Sequence, residues 1–219
     1  MEYLKDTIRF FRIAVRFSGI ARLDLYEVVH LLRGLGYNIS AQLPPRSFKS
    51  MAGGSGPIAF KGDLFVDVNT DTLTLGLSSS DPEKCINEFI ALEKEFAKTF
   101  EVLKDPQFYE VLVELEIKTE KIDLLSFLQK IAGKNPLVES ISNALGEEMS
   151  IFGYRLSRKG SSLGDLEWID VEIRPHPMRP KSSLYVSMVY RSHSRENAVR
   201  ASRSIKAIVE AISDLMTNT

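Results

Sequence analysis

Residues 21–45 read ARLDLYEVVHLLRGLGYNISAQLPP, and this stretch decides the fold that the sequence predicts. Its apolar residues recur with the period of a helix that buries one stripe, while polar residues fall on the other side. Gly34 and Gly36 end this helix, and a Tyr-Asn turn then leads into a sheet. The predicted buried stripe consists of Leu23, Tyr26, Val29, His30, Leu31 and Leu32.

The opening of this helix occurs a second time further along the chain. Residues 122–124, Ile-Asp-Leu, repeat the Leu-Asp-Leu of residues 23–25, and both copies continue into an apolar run at helical spacing. Recurrence of this kind is typical of an internal duplication. We therefore expect two similar halves.

The elements predicted around the two copies follow one order, which is strand, helix, strands, helix. Strands are indicated by alternation of apolar and polar residues, and helices by the helical period and by capping residues such as Asp81 before Pro82. The predicted strands are 10–17, 58–68, 72–77, 108–118, 150–157, 166–173 and 183–190. The predicted helices are 23–32, 82–100, 122–132, 137–145 and 195–216. This pattern predicts an α+β fold.

The helix and turn of residues 23–45 resemble the first repeat of the TATA-box-binding protein family. The matching residues are Leu23, Asp24, Leu25, Tyr37, Asn38, Gln42 and Pro44. Ser80-Asp81-Pro82-Glu83, ahead of a long helix, is similar to the acidic start of that family's second helix. The resemblance implies a duplicated TBP-like saddle with repeats at 1–104 and 105–219. They would share one curved antiparallel sheet with long helices on one face.

The same resemblance implies that the positions contacting DNA have changed. The family enters the minor groove with an asparagine in the first strand of each half and with pairs of phenylalanine wedges. Here Arg12 stands at the first asparagine position, and Val111 or a neighbour stands at the second. One wedge becomes Leu43, and its partner falls near Val68. We therefore do not expect binding of TATA elements in the family's manner.

Acidic residues occupy many alternating positions of the predicted strands. A face that binds nucleic acid should attract phosphate, and Arg12 and Arg16 by themselves do not offset these acids. The acids are interpreted as the solvated side of an antiparallel sheet, or as a face for a protein partner. They are Asp63, Asp67, Glu110, Glu114, Glu116, Asp170 and Glu172.

The C-terminal part of the chain concentrates basic residues, although the net charge of the whole chain is −1. Such clustering creates a local positive field that could bind nucleic acid, and a solvated helix face is the alternative interpretation. The predicted nucleic-acid-binding residues are Arg174, Arg179, Lys181, Arg191, Arg195, Arg200, Arg203 and Lys206.

Composition and motifs argue against catalysis and against a membrane location. No apolar run is long enough to span a bilayer, and the N-terminus lacks the pattern of a secretory signal, so we expect a cytoplasmic protein. His30, His176 and His193 are scattered without metal-ligand spacing, and the single cysteine, Cys85, is predicted to be buried. We predict no catalytic residue, no metal and no cofactor.

The sequence thus predicts a non-enzymatic binding module that acts on nucleic acid or on a protein bound to nucleic acid. Two alternatives remain open. The protein could carry an apolar small molecule in a cavity between sheet and helices, lined by phenylalanines such as Phe89 and Phe96. It could also be a protein-interaction adaptor that uses the acidic face of the sheet.

Overall fold

The computed structural model describes residues 8–19, 22–40, 56–101, 103, 105–118, 124–133, 135–160 and 165–217. Within these ranges the chain is α+β and forms a nine-stranded antiparallel sheet. The strands are β1 (Ile8–Phe17), β2 (Asn38–Ile39), β3 (Ala59–Lys61), β4 (Leu64–Asn69), β5 (Thr74–Ser79), β6 (Pro106–Lys118), β7 (Tyr154–Ser157), β8 (Trp168–His176) and β9 (Arg179–Ser192). The helices are α1 (Leu25–Gly34), α2 (Pro82–Thr99), α3 (Leu124–Ala132), α4 (Pro136–Leu145), α5 (Arg195–Arg203) and α6 (Ile205–Thr217).

The sheet is arranged around its two central strands, β1 and β6. The strand order is β2-β3-β4-β5-β1-β6-β9-β8-β7, and every neighbouring pair is antiparallel. At the centre Ile13 lies opposite Val111 and Ala14 opposite Glu110. Since successive side chains of a strand point to opposite faces, this register fixes which residues share a face.

One face of the sheet packs against helices and forms the core. Phe11, Ile13 and Val15 of β1 and Val111 and Val113 of β6 are buried on this side. Helix α2 contacts β1 and β5, helix α5 contacts β6 and β9, and helix α3 contacts β9. We call this the helix side, and we call the opposite side the open face.

Helix α1 buries a different stripe from the predicted one. Val28, Val29 and Leu32 are buried, whereas Tyr26 and His30 are exposed. The prediction that His30 faces the core is therefore wrong. The apolar residues at 25, 28, 29 and 32 already satisfy the helical period, so the neighbouring aromatic and imidazole rings can face solvent.

Two predicted elements are each divided in the structure. Gly62, with φ +65°, begins a turn that separates β3 from β4, so residues 58–68 do not form one strand. A positive φ favours glycine because it has no Cβ. The predicted helix 195–216 is interrupted at Ser204, whose Oγ donates to the carbonyl of Ala201 at 2.8 Å.

Candidate functional site

A line of four charged side chains crosses the middle of the open face, and we call it the central charge ladder. Asp67 (β4), Arg12 (β1), Glu110 (β6) and Arg191 (β9) alternate in sign along it. Arg12 donates to both carboxylate oxygens of Asp67, from Nε at 3.0 Å and from Nη2 at 2.6 Å. Arg12 Nη1 lies 3.8 Å from Glu110 Oε1, and Arg191 Nε donates to Glu110 Oε2 at 3.0 Å. The ladder joins the two central strands.

Gly76 of β5 makes the central charge ladder possible. β5 lies between β4 and β1, so the pair formed by Arg12 and Asp67 has to cross it. A Cβ at Gly76 would lie 2.5 Å from Arg12 Nη2 and 2.5 Å from Asp67 Oδ1. Because glycine lacks this atom, the guanidinium group can lie directly over the β5 backbone.

Two arginines of the open face, Arg174 and Arg191, lie over aromatic rings. The guanidinium carbon of Arg191 lies 4.4 Å from the ring centroid of Phe108 and 5.4 Å from that of Trp168. The guanidinium carbon of Arg174 lies 4.7 Å from the centroid of Tyr185. Contacts of this kind between a cation and an aromatic face are attractive, and they fix the orientation of these arginines.

Four of the seven acidic residues predicted on the sheet, Asp67, Glu110, Glu116 and Asp170, are paired with arginines from other strands. Glu116 Oε2 accepts from Arg9 Nε at 2.8 Å and from Arg179 Nη2 at 2.6 Å. Burial opposes ionisation of Glu116, but a hydrogen bond with the Ser183 side chain and the guanidinium groups of Arg9 and Arg179 outweigh it, so the pKa of Glu116 lies below its ordinary value. The cations that pair with Glu116 are therefore neither Arg12 nor Arg16, the two arginines that the sequence analysis weighed against these acids.

Asp170 follows the same pattern, whereas Glu172 pairs with an arginine of its own strand and Glu114 hydrogen-bonds with the side chain of Tyr185. Arg155 donates to both oxygens of Asp170 at 2.7 Å, and Arg174 lies 2.9 Å from Glu172. Asp63 is not on the open face, because it lies in the β3–β4 turn, where it pairs with Lys84.

One end of the open face carries an excess of positive charge, and we call it the basic end. It consists of Arg9, Lys118, Arg179 and Lys181 around the carboxylate of Glu116. Arg9 and Arg179 retain 46% and 48% side-chain exposure although they share that carboxylate. Lys118 and Lys181 are exposed and make no ion pair within the described ranges.

The eight basic residues predicted to bind nucleic acid are divided between the two sides of the molecule. Arg174, Arg179, Lys181 and Arg191 belong to β8 and β9 and lie on the open face. The other four belong to α5 and α6 on the helix side. There Arg195 pairs with Glu93, Arg203 with Glu83 and Lys206 with Glu210, while Arg200 donates to Asn197.

The positions implied by the family resemblance fall on both sides as well. Arg12 lies on the open face, whereas Val111 is buried on the helix side between Glu110 and Leu112 of the open face. Val68 is also buried in the core, so Val68 itself is not exposed as a wedge. Leu43 lies outside the described residues.

Two phenylalanines that the apolar-carrier alternative assigns to a cavity lining are instead exposed on the open face. Phe60 and Phe65 lie directly opposite each other on β3 and β4, with exposures of 38% and 42%. The alternation of residues 64–69 places Phe65 beside Asp67 on the open face once the turn at Gly62 is known. They form an apolar patch at the end of the sheet opposite β7.

The groove between α2 and α5 does not resemble the predicted apolar cavity. It is open to solvent, about 680 Å³ in volume, and lined by both charged and apolar residues, including Ile90, Glu93, Lys94 and Arg195. The carboxylate of Glu93 is buried and accepts from Tyr109 Oη at 2.5 Å. Phe89 and Phe96, predicted to line a cavity, are fully packed in the core.

The described ranges contain no group of three or more histidine, cysteine or acidic side chains placed to hold a metal ion. Cys85 is buried, as predicted, and its Sγ donates to the carbonyl of Leu77 at 3.3 Å. No helix within the described part of the chain has the length and apolar character needed to span a membrane.

The fold and the site together define an α+β protein whose antiparallel sheet has helices on one side and a charged, partly aromatic face on the other. No protein-family model matches the chain, and no curated protein is significantly similar to it.

Proposed function

We propose that this protein is a non-enzymatic module that binds nucleic acid across the open face of its sheet. The observation that carries the proposal is the charge of that face, since the strands place nine cations and six carboxylates on it while the whole chain carries −1. The cations are Arg9, Arg12, Arg16, Lys118, Arg155, Arg174, Arg179, Lys181 and Arg191. The carboxylates are Asp67, Glu110, Glu114, Glu116, Asp170 and Glu172.

The basic end is the proposed point of contact with phosphate. In the central charge ladder, Arg12 and Arg191 already bind carboxylates, so a phosphate gains little from approaching them. At the basic end, Arg9 and Arg179 share one carboxylate, and Lys118 and Lys181 are exposed. About four phosphate contacts would give a slope near −3 for log affinity against log salt, at roughly 0.7–0.9 per contact.

We further propose the duplicated saddle as the architecture of this module. Outward from β1 the strands are β5, β4, β3 and β2, and outward from β6 they are β9, β8 and β7. In each half the strand nearest the centre is the first in sequence, its neighbour is the last, and the order then runs backwards along the chain. This correspondence supports two repeats, at 1–104 and 105–219, within one sheet.

The two sides of the molecule offer a matched test of the proposal. One variant combines Lys118→Gln, Arg179→Gln and Lys181→Gln on the open face. The control combines Arg200→Gln, Arg203→Gln and Lys206→Gln on the helix side. Both remove three positive charges, so they have the same net charge. Fluorescence anisotropy with single-stranded and duplex DNA and RNA, repeated at several salt concentrations, measures the slope for each.

We expect the open-face variant to flatten the salt slope by about two, because each lost phosphate contact removes roughly 0.7–0.9. The helix-side control should retain the native slope. Equal losses in both variants would mean that affinity follows net charge and not the open face. No binding by the native protein at low salt would overturn the proposal.

A protein partner is the second candidate, and the central charge ladder favours it. Alternating paired charges beside the exposed Phe60 and Phe65 suit an interface with a polar protein surface, where complementary charges set specificity. This candidate takes the place of the first if the native chain binds no nucleic acid. The groove between α2 and α5 is open to solvent and partly charged, so it gives the apolar-carrier alternative no support.

A further inference from the structure

The outer edge of β7 ends the sheet, and no described strand pairs with it. The backbone groups on such an edge can hydrogen-bond to an added strand, which is why proteins usually cover or charge their edge strands. The other end of the sheet finishes differently, with the two-residue strand β2 in contact with α1. Four strands lie outward from β1 but three lie outward from β6, so the β7 edge is one strand short of the opposite side.

Exposed apolar side chains are concentrated in the part of the chain that contains β7. Eight of the twelve large apolar residues exposed in the described ranges fall between residues 131 and 166, each 40–66% exposed. They are Ile131, Leu137, Ile141, Leu145, Met149, Phe152, Leu156 and Leu166. Clusters of this kind on a folded protein are typical of an interaction surface.

Helix α4 contributes an apolar stripe that the described chain leaves uncovered. Leu137, Ile141 and Leu145 repeat every four residues, and no residue of α4 is buried. The chain from the end of α4 continues through Met149, whose N–H donates to Ser142 Oγ at 3.0 Å, to β7. The stripe and the edge strand therefore belong to one continuous segment.

We propose that β7 pairs antiparallel with β7 of a second copy of this chain, joining the two sheets. Directly opposite side chains of such a pair point to the same side of the sheet and contact each other. A register is therefore favourable only if the opposite residues are compatible in charge and polarity. A two-fold axis at Leu156 sets Leu156 against its own copy and Arg155 against Ser157. An axis at Arg155 would set two like charges opposite each other, which is destabilising.

This register explains the exposure of Leu156, which is 53% in the single chain. Leu156 lies on the helix side of β7, because its neighbour on β8 is Val171, which packs against the core. Pairing would cover it with an identical leucine. The inference is independent of nucleic-acid binding, since it uses the edge of the sheet and not the open face.

Disulfide trapping in the full chain tests the register directly. Leu156→Cys should give a disulfide-linked dimer on mild oxidation, because opposite Cβ atoms are about 5 Å apart and small movements permit the bond. Arg155→Cys should not link to itself, but it should link to Ser157→Cys when the two variants are mixed. Cys85 is fully buried and should not compete. Met178→Cys, at a position 84% exposed in the β8–β9 turn, controls for random collision.

Sedimentation of the unlinked protein over a dilution series gives the second measurement. We expect the native chain to reach twice its 24.7 kDa mass, and Leu156→Lys to remain a monomer. Met178→Lys, an equivalent change at an exposed site away from β7, should dimerise like the native chain. A native monomer at every concentration would overturn the proposal. So would a dimer that Leu156→Lys leaves intact, or equal cross-linking by the cysteines at 156 and 178.

Discussion

Gly76 is the residue through which the central charge ladder can be tested most simply. Gly76→Ala would place a Cβ 2.5 Å from both Arg12 Nη2 and Asp67 Oδ1, and one of these groups would have to move. We expect a loss of about 1–3 kcal/mol in the free energy of unfolding, as for other overpacked sites. Urea denaturation measures it. Gly34→Ala is the control, since nothing lies within 4 Å of its added Cβ; equal midpoints for the two variants would contradict the proposed role of Gly76.

Ionisation of Glu116 should make the stability of the fold depend on pH. Its folded-state pKa lies below the ordinary value of 4.5, so its contribution to stability is present above pH 4.5. That contribution is lost as the pH falls through the folded-state pKa. Glu116→Gln should therefore lower stability at neutral pH and weaken the fall in stability below pH 4.5, measured by urea denaturation at a series of pH values. An unchanged pH profile would show that Ser183, Arg9 and Arg179 do not stabilise the carboxylate.

Glu116→Gln should affect nucleic-acid binding in the direction opposite to its effect on stability. Without the carboxylate, Arg9 and Arg179 would be free to bind phosphate, so Glu116→Gln should bind nucleic acid more tightly at low salt while being less stable. A variant that is both less stable and weaker in binding would argue against phosphate contacts at the basic end.

At the scale of single elements, helix α2 begins as the sequence predicts. Asp81 caps it, with its carboxylate accepting from the Lys84 N–H at 3.3 Å, and Pro82 occupies the first turn. Asp81→Ala should lower the free energy of unfolding by about 1 kcal/mol, whereas Asp81→Asn should retain most of it. Thermal and urea denaturation of both variants provide the comparison. Equal losses from alanine and asparagine would attribute the effect to charge instead of capping.

Strand periodicity identified most strands, because alternation is a local property of the chain. Residues 108–118 were predicted as a strand, and β6 runs over Pro106–Lys118. The sequence does not reveal the break between β3 and β4. Apolar and polar residues alternate on both sides of Gly62, so residues 58–68 read as one strand. The predicted burial of His30 is wrong because more than one face of α1 carries apolar residues at the helical period, so the period alone does not identify the buried face.

At the scale of the whole molecule, the proposed duplication makes a geometric prediction. In a crystal structure, residues 8–100 and 107–217 should superpose as two copies of one unit, with α1 on α3, because each half has the same strand order outward from the centre. As a control, the two halves are superposed with their strands shifted by one position in the sheet, and this superposition should have a larger deviation. If α1 and α3 do not coincide when the sheets are aligned, the duplication is wrong.

Local sequence patterns predict the α+β class, most element positions, the cap of α2 and the burial of Cys85, because each of these depends on neighbouring residues. It could not show that Glu116 binds Arg9 and Arg179, or that Asp67 binds Arg12 across Gly76, because these partners are 107, 63 and 55 residues apart. Only strand order and register bring them together. The fold also divides the basic residues between Arg174 and Lys206 over two sides of the molecule. Those on β9 lie in the sheet, whereas those on α5 lie on a helix that packs against the helix side.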